Sequence, residues 1–290
     1  MFSITFLGTS ASAPSVDRNL SSIAIKYEGN LFLFDCGEGT QRQMMKYTIG
    51  YGSIDAIFIT HNHLDHFLGL YGLIETLHLT SPSPKPVKLF VPVGFPLGAI
   101  TNKKFVQINY LKKGEVYKGK NFSIRAFPVK HSKTLDSFGF VFEETDKVKF
   151  HEKEAKALGI KGKLFTEIQE KGHVTINKKK IKLAEVTWKK KGRKIVYTGD
   201  TAPCAEVVKA AKDADLLIHE STFDSSKQEE AGERNHSTAK EAAEIAKKAN
   251  VKQLVLTHIS PRYKDFSVLL DDAKGFKNVK IAKDGLVLDI

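Results

Sequence analysis

The densest chemistry in the chain lies in six residues, His61-Asn62-His63-Leu64-Asp65-His66. They offer three imidazoles and a carboxylate, the nitrogen and oxygen ligands that borderline divalent metals accept, zinc foremost. Two histidines spaced two apart on an extended turn can point the same way and share one ion. Asp65 and His66 can then face a second ion. A lone histidine after a strand is more often structural, but ligands at this density call for a metal. Further ligand types stand just beyond apolar runs: His131 after 122–129, Asp200 at the end of Tyr197-Thr198-Gly199-Asp200, and His258 after 254–257. Together they are about what two zinc ions with open water positions require. Such ions bring the pKa of bound water to about 7, and a pair about 3.5–4 Å apart can steady both oxygens of a phosphodiester displacement. The chemistry to expect is metal-dependent hydrolysis.

These ligands need elements to hold them. Alternating or apolar runs at 2–8, 21–27 and 31–35 read as strands. A glycine-rich turn at 35–39 and a short helix at 41–47 follow. The run 55–60 is a buried strand that delivers the histidine cluster at its end. From Asp65 onwards Phe67, Leu70, Ile74 and Leu77 recur at helical spacing. Strands are expected near 87–91, 122–129 and 138–142, then helices at 152–158 and 164–170 joined by residues 159–162. The pattern resumes with a strand from Lys194, a helix over 203–212, a strand at 216–219, and a helix from Thr238 to Ala249. Thr238 and Glu241 form a capping-box signature at that start. A strand at 254–257 and two after 278 close the chain. The parts before 145 and after 193 read as two βα-rich halves of one α/β domain spanning 1–290. The segment 147–190 reads as an insertion.

The totals fit a soluble globular protein with ample material for a core: 290 residues, 41% hydrophobic and 27% charged. Two cysteines, Cys36 and Cys204, are too few for a disulfide framework and suit a reducing compartment. The N-terminus alternates like a strand and does not read as a signal peptide, and no apolar run reaches membrane-spanning length. A cytoplasmic protein with no membrane partner is expected. The net charge is +12, and residues 147–194 hold 16 Lys and Arg against 5 Glu, nearly the whole surplus. A solvated face is the plain reading of such a run. Its concentration in one segment favours contact with nucleic acid.

His-x-His-x-Asp-His followed by His131, Asp200 and His258 resembles the metallo-β-lactamase superfamily, which implies an αββα four-layer sandwich with metals at one edge. More narrowly, the chain resembles ribonuclease Z, the tRNA 3′-processing endonuclease. The resemblance runs nearly end to end. It is carried by Phe6-Leu-Gly-Thr-Ser10, Phe34-Asp-Cys-Gly-Glu-Gly-Thr-Gln41, the cluster itself, Tyr197-Thr-Gly-Asp-Thr201, His219-Glu-Ser-Thr-Phe223, His236-Ser-Thr238 and Thr257-His-Ile-Ser-Pro-Arg-Tyr263. The superfamily signature alone leaves lactamases, lactonases and sulfatases open; the Asp35–Gln41 run, the His236 loop and the basic insertion narrow it. The resemblance implies two Zn²⁺ per subunit, one on His61, His63 and His131, the other on Asp65, His66 and His258, with Asp200 bridging. Mn²⁺ and Fe²⁺ accept the same ligands. It makes Asp65 the general base and His236 the proton donor, oriented by Glu220. It implies a homodimer in which the inserted arm of one subunit, a tRNA-binding exosite, grips the precursor tRNA that the other cuts. The products would be a tRNA 3′-hydroxyl and a trailer 5′-phosphate.

Candidate substrate contacts are Arg18, Asn19 and Arg262 beside the metal site, and Lys161 and Lys163 in the arm. Two features depart from the family pattern. Pro14-Ser-Val-Asp-Arg-Asn19 has Val16 where lysine is usual, and the arm carries Gly162-Lys163 where Gly-Pro is usual. Asp35 reads equally as a carboxylate behind a ligand histidine or as a turn residue. His78, His151, His173 and His219 are expected to be structural or solvated, Cys36 buried and Trp188 packed. The alternative function is a phosphodiesterase of the same fold acting on small molecules or other RNA. A third is a non-enzymatic RNA-binding protein with a structural metal.

Overall fold

The apolar alternation at the N-terminus forms β1 (Phe2–Gly8), followed by β2 (Ser22–Tyr27), β3 (Asn30–Phe34), β4 (Ile54–Phe58), β5 (Val87–Val91) and β6 (Val106–Tyr110). Then come β7 (Gly114–Lys118), β8 (Phe122–Pro128), β9 (Phe138–Glu144), β10 (Lys147–Phe150), β11 (His173–Ile176), β12 (Lys179–Lys182) and β13 (Thr187–Lys190). The last are β14 (Lys194–Tyr197), β15 (Leu216–Glu220), β16 (Leu254–Thr257), β17 (Val279–Ile281) and β18 (Val287–Asp289). The helices are α1 (Thr40–Lys46), α2 (Leu64–Phe67), α3 (Gly69–Thr80), α4 (Glu152–Ala157), α5 (Leu164–Lys171), α6 (Ala205–Ala211), α7 (Gln228–Glu233), α8 (Ala239–Lys248) and α9 (Ser267–Asp272). The structure is a computed structural model that describes residues 1–80, 86–100 and 103–290. It divides into two units, 1–142 with 194–290, and 143–193.

The larger unit contains two mixed seven-stranded sheets, ordered β18-β1-β2-β3-β4-β5-β6 and β17-β16-β15-β14-β9-β8-β7. The two-residue period of the strands sorts their side chains between layers. Phe32 and Phe34 of β3, with Ala56 and Phe58 of β4, enter the core shared with Phe140, Ile195, Tyr197 and Ile218 of the second sheet. Leu31, Leu33, Ile57 and Ile59 face the other way, onto Met44 of α1 and Leu70, Leu73 and Ile74 of α3. On the far side Val196 and Leu217 meet Val207 of α6, Ala242, Ala246 and Ile245 of α8, and Leu269 of α9. The result is helix, sheet, sheet, helix, the expected four layers. Aromatic rings fill the centre: Phe58 stacks between Phe34 and Phe90, centroids 5.1 and 4.7 Å away, and Phe140 meets Phe58 and Phe34 edge-on at 5.4 and 5.5 Å.

The smaller unit is built from two hairpin-like pairs, β10 with β13 and β11 with β12, both antiparallel, together with α4 and α5. It has its own core of Ala155, Ile160, Ile168, Val174, Ile181 and Val186. Gly159 and Gly162 between its helices both take positive φ, 87° and 52°. Lys161 and Lys163 are exposed beside them. Trp188 is not packed as expected: it is 46% exposed and sits across the strand pair from Lys149.

Candidate metal centre

Parallel pairing of β14, β15 and β16 brings their C-terminal ends to one edge of the second sheet, and β3, β4 and β5 do the same in the first. That edge is where ligands of layered α/β folds gather, because the loops leaving the strands converge there. Residues 59–63 run from β4 into α2 and carry His61 and His63, while Asp65 and His66 lie in the first turns of α2. His131 stands three residues beyond β8, Asp200 three beyond β14, and His258 directly after β16. Gly199 enables the Asp200 turn: its φ is 60°, and a Cβ there would lie 2.8 Å from Thr60 Cγ2. His258 itself has φ 52°, a left-handed conformation that costs a residue with a side chain about 1–3 kcal/mol. The surrounding hydrogen bonds hold it there.

The ligand atoms converge. His63 Nδ1 is 3.0 Å from His131 Nε2, and His66 Nε2 is 3.2 Å from His258 Nε2. Asp200 Oδ2 lies 3.3 Å from the Nε2 atoms of both His66 and His258, 3.8 Å from that of His61 and 3.9 Å from that of His131. Asp65 Oδ2 is 3.3 Å from His258 Nε2. Among the described residues, two groups that could hold an ion are His61, His63, His131 and Asp65, His66, His258, and Asp200 joins His61 and His66 in a third. His61 Nε2 and Asp200 Oδ1 are buried without a hydrogen-bond partner. Buried polar atoms left this way are costly, and a cation coordinated by them removes the cost. The donor set and these orphaned atoms therefore fit a divalent metal site.

Hydrogen bonds behind the ligands aim them. Asp35, itself at φ 59°, accepts from the Thr60 N–H at 2.8 Å, the Thr60 hydroxyl at 3.0 Å and the Tyr197 hydroxyl at 2.7 Å, and lies 2.8 Å from His66 Nδ1. The two readings of Asp35 thus resolve in favour of a carboxylate that supports a ligand. The Tyr197 hydroxyl is held protonated, its pKa pushed up by burial and by Asp35. Thr60 Oγ1 meets His61 Nδ1 at 3.0 Å, the Asn235 carbonyl meets His131 Nδ1 at 3.1 Å, and Thr222 Oγ1 meets His258 Nδ1 at 3.0 Å. Thr60, Tyr197 and Thr222 were invisible as functional residues in the sequence, where hydroxyls at strand ends are commonplace.

Charge is distributed unevenly across the cluster. Burial and the neighbouring His66 push His61 well below its ordinary pKa, so it stays neutral and able to ligate. Burial would neutralise Asp200 and Asp65, but the surrounding histidines outweigh it and hold both carboxylates ionised. Beside them His236 Nδ1 lies 2.9 Å from Glu220 Oε1. Glu220, fully buried at the end of β15, also accepts from the Thr201 N–H at 2.7 Å and the Thr222 hydroxyl at 2.7 Å. Burial opposes a charge on His236, yet the Glu220 carboxylate overrides it and raises the pKa to about 9. The reverse effect keeps Glu220 ionised: burial raises its pKa, and His236 outweighs that. His236 is set by its own N–H to the Ala231 carbonyl at 2.8 Å, just before Thr238 opens α8 with a complete capping box.

The other candidates divide. Arg18 is turned inward: its side chain is buried, donating to Thr9 Oγ1 and the Ala282 carbonyl, each at 2.7 Å, and stacking over Phe266. Asn19 is half-buried and donates to the Glu38 carbonyl. Arg262 pairs through both terminal nitrogens with Glu230, at 2.9 and 3.0 Å, and lies over Phe223. Val16 is fully exposed. His219 is buried, with Nδ1 2.7 Å from the Glu220 carbonyl, and among the described residues it joins none of the groups that could hold an ion. Cys36 is buried, and that burial lifts its thiol to about 12 and leaves it inert.

Comparison with known proteins agrees with this geometry. The family model described as beta-lactamase superfamily domain matches residues 161–259, and that of the anti-Pycsar protein Apyc1 matches 2–95. The chain is 44% identical to ribonuclease Z of Archaeoglobus fulgidus, over 100% of this chain and 98% of that one, and 42% identical to ribonuclease Z of Methanosarcina mazei over the same shares. The crystal structure of the short form of human tRNase Z superposes with a TM-score of 0.69 at 31% identity, covering 99% of both chains. The metallo-beta-lactamase fold protein YhfI of Bacillus subtilis superposes with a TM-score of 0.73 at 18% identity, covering 100% of both, a likeness of fold alone. With end-to-end identity at this level and its histidines and aspartates gathered at one sheet edge, the chain belongs to the ribonuclease Z family of the metallo-β-lactamase superfamily.

Proposed function

We propose that the chain is a zinc-dependent endoribonuclease that removes the 3′ trailer from precursor tRNA, leaving a tRNA 3′-hydroxyl and a trailer 5′-phosphate. The observation that carries this reading is the buried His/Asp cage in a chain 44% identical, end to end, to a ribonuclease Z. His61, His63 and His131 would hold one ion, Asp65, His66 and His258 a second, with Asp200 shared. Zinc suits these donors best, and Mn²⁺ or Fe²⁺ accept them. When bound, such cations supply acidified water and neutralise charge on a phosphodiester. Asp65 takes the proton of the attacking water. As the water oxygen joins phosphorus, the bond to the 3′-oxygen breaks, and His236 donates its proton to that leaving oxygen. Glu220 keeps His236 charged for the task, since an imidazolium beside a carboxylate is a competent acid near neutral pH.

The basic unit 143–193 is the exosite in this reading. Its exposed Lys161 and Lys163 make contacts to the tRNA backbone, which fix position without reading sequence. Asn19 and Arg262 contribute on the larger unit, and the working form is a homodimer. The cage alone would equally serve a phosphodiesterase acting on small molecules, which has no use for such a unit. Single-turnover cleavage of a 3′-extended precursor tRNA by Asp65→Ala tests the reading. The variant should lose cleavage; full activity with metal still bound would contradict it.

A further inference from the structure

We infer that Arg18 and Asp284 are positioning residues for the cut, clamping the loop 10–20 so that the Ser12 backbone N–H is held on Oδ2 of Asp65. The inference rests on the reading of Asp65 as the base. Ser12, at φ 59°, donates its N–H to Asp65 Oδ2 at 2.9 Å. The same oxygen faces His258 Nε2 at 3.3 Å and His66 Nε2 at 3.6 Å. The Ser12 N–H therefore helps to decide how the carboxylate is turned toward its neighbours. A left-handed residue in an exposed loop keeps that aim only if the loop is anchored on both sides.

Both anchors lead to one buried network. On one side the Ala11 N–H donates to the Ile259 carbonyl at 3.0 Å and the Ile259 N–H to the Thr9 carbonyl at 2.9 Å, which ties the loop to the residue after His258. On the other, Arg18 donates to Thr9 Oγ1 and the Ala282 carbonyl, each at 2.7 Å. Asp284 accepts from Thr9 Oγ1, the Asn19 N–H and Gln43 Nε2, each at 2.7 Å. Thr9 is the joint: its hydroxyl receives from Arg18 and gives to Asp284. A guanidinium and a carboxylate that both bind one threonine thus tie Thr9, just before the loop, to Arg18 and Asn19 near its end. Arg18 has its donors turned inward and its plane on Phe266, 4.2 Å from the ring centroid. It acts through Asp65, and a phosphate contact is left to other residues.

The test measures kcat, KM and the salt dependence of binding for a 3′-extended precursor tRNA, with zinc content determined, on Arg18→Ala, Arg18→Lys and Asp284→Asn. Misaiming a reacting group by about 1 Å costs on the order of 100-fold, so kcat of Arg18→Ala should fall about 10- to 100-fold. KM, tRNA affinity, its salt slope and zinc content should stay at wild-type values. Arg18→Lys should recover part of kcat. Asp284→Asn keeps volume and leaves Arg18 in place, and it should lose kcat in the same way if Arg18→Ala fails to fold. A wild-type kcat with weaker binding and a salt slope smaller by about 1 would make Arg18 a phosphate contact and overturn the inference. So would a wild-type kcat in Asp284→Asn. Wild-type kcat in both variants beside an inactive Asp65→Ala would sink this inference alone; an active Asp65→Ala would sink the reading beneath it.

Discussion

Glu220→Gln isolates the proton donor, because glutamine keeps the volume of the side chain and removes the charge that faces His236 at 2.9 Å. With Glu220 ionised, His236 is raised from an ordinary 6.5 to about 9. At pH 7.5 that keeps about 97% of the imidazole protonated, whereas a group at 6.5 is only about 9% protonated. Burial, which lowers the pKa, persists in the variant, so kcat at pH 7.5 should fall by about 10-fold or more. The sign follows from the raised value: the acid is present below about 9 and is lost as pH rises through it. In Glu220→Gln the alkaline limb of kcat should move toward acid by about two units or more, and the deficit should shrink as pH falls toward about 6. A bound cation depresses both limbs alike, so the separation between the two proteins is the informative quantity. The assay is a pH profile of single-turnover precursor tRNA cleavage at saturating enzyme. A limb that does not move, or a loss equal at every pH, would refute the assignment of His236 as an acid tuned by Glu220.

Two further outcomes follow from the fold. The Glu144 N–H donates to the Arg193 carbonyl at 2.9 Å, so the ends of the smaller unit lie together and a short turn can replace residues 146–191; the shortened protein should keep hydrolysis of a chromogenic phosphodiester and lose precursor tRNA cleavage, and parallel loss of both would count against an exosite. Phe58→Ala, which empties a ring stacked between Phe34 and Phe90, should lower unfolding stability by about 3–5 kcal/mol in denaturant titration.

The metal cluster was legible because its ligands are chemically rare and lie at strand ends, and β4, β14, β15 and β16 were legible because buried strands are apolar. What escaped had weaker patterns. β7, Gly114–Lys118, is short, and Glu115 and Lys118 take two of its five positions. The strands of the smaller unit are four residues each, and in β12 and β13 lysines occupy both faces, which erases the alternation. α7 and α9 span six residues apiece, too few for helical periodicity to register. Arg18 shows the other limit. A sequence displays a cation beside a site but not the direction it faces, and here Thr9 and the Ala282 carbonyl, distant in the chain, turn it inward. The capping box at Thr238 and Glu241 involves neighbours only, and it formed as read.

The central claim is that one metal cage in this chain cuts precursor tRNA. The most direct test takes protein of measured metal content and maps the ends produced from a 3′-extended precursor tRNA before and after chelation. Cutting should leave a tRNA 3′-hydroxyl and a trailer 5′-phosphate, be lost with the metal, and recover on adding Zn²⁺ or Mn²⁺. Tight binding of the RNA without turnover, by protein whose cage is full of metal, would contradict it.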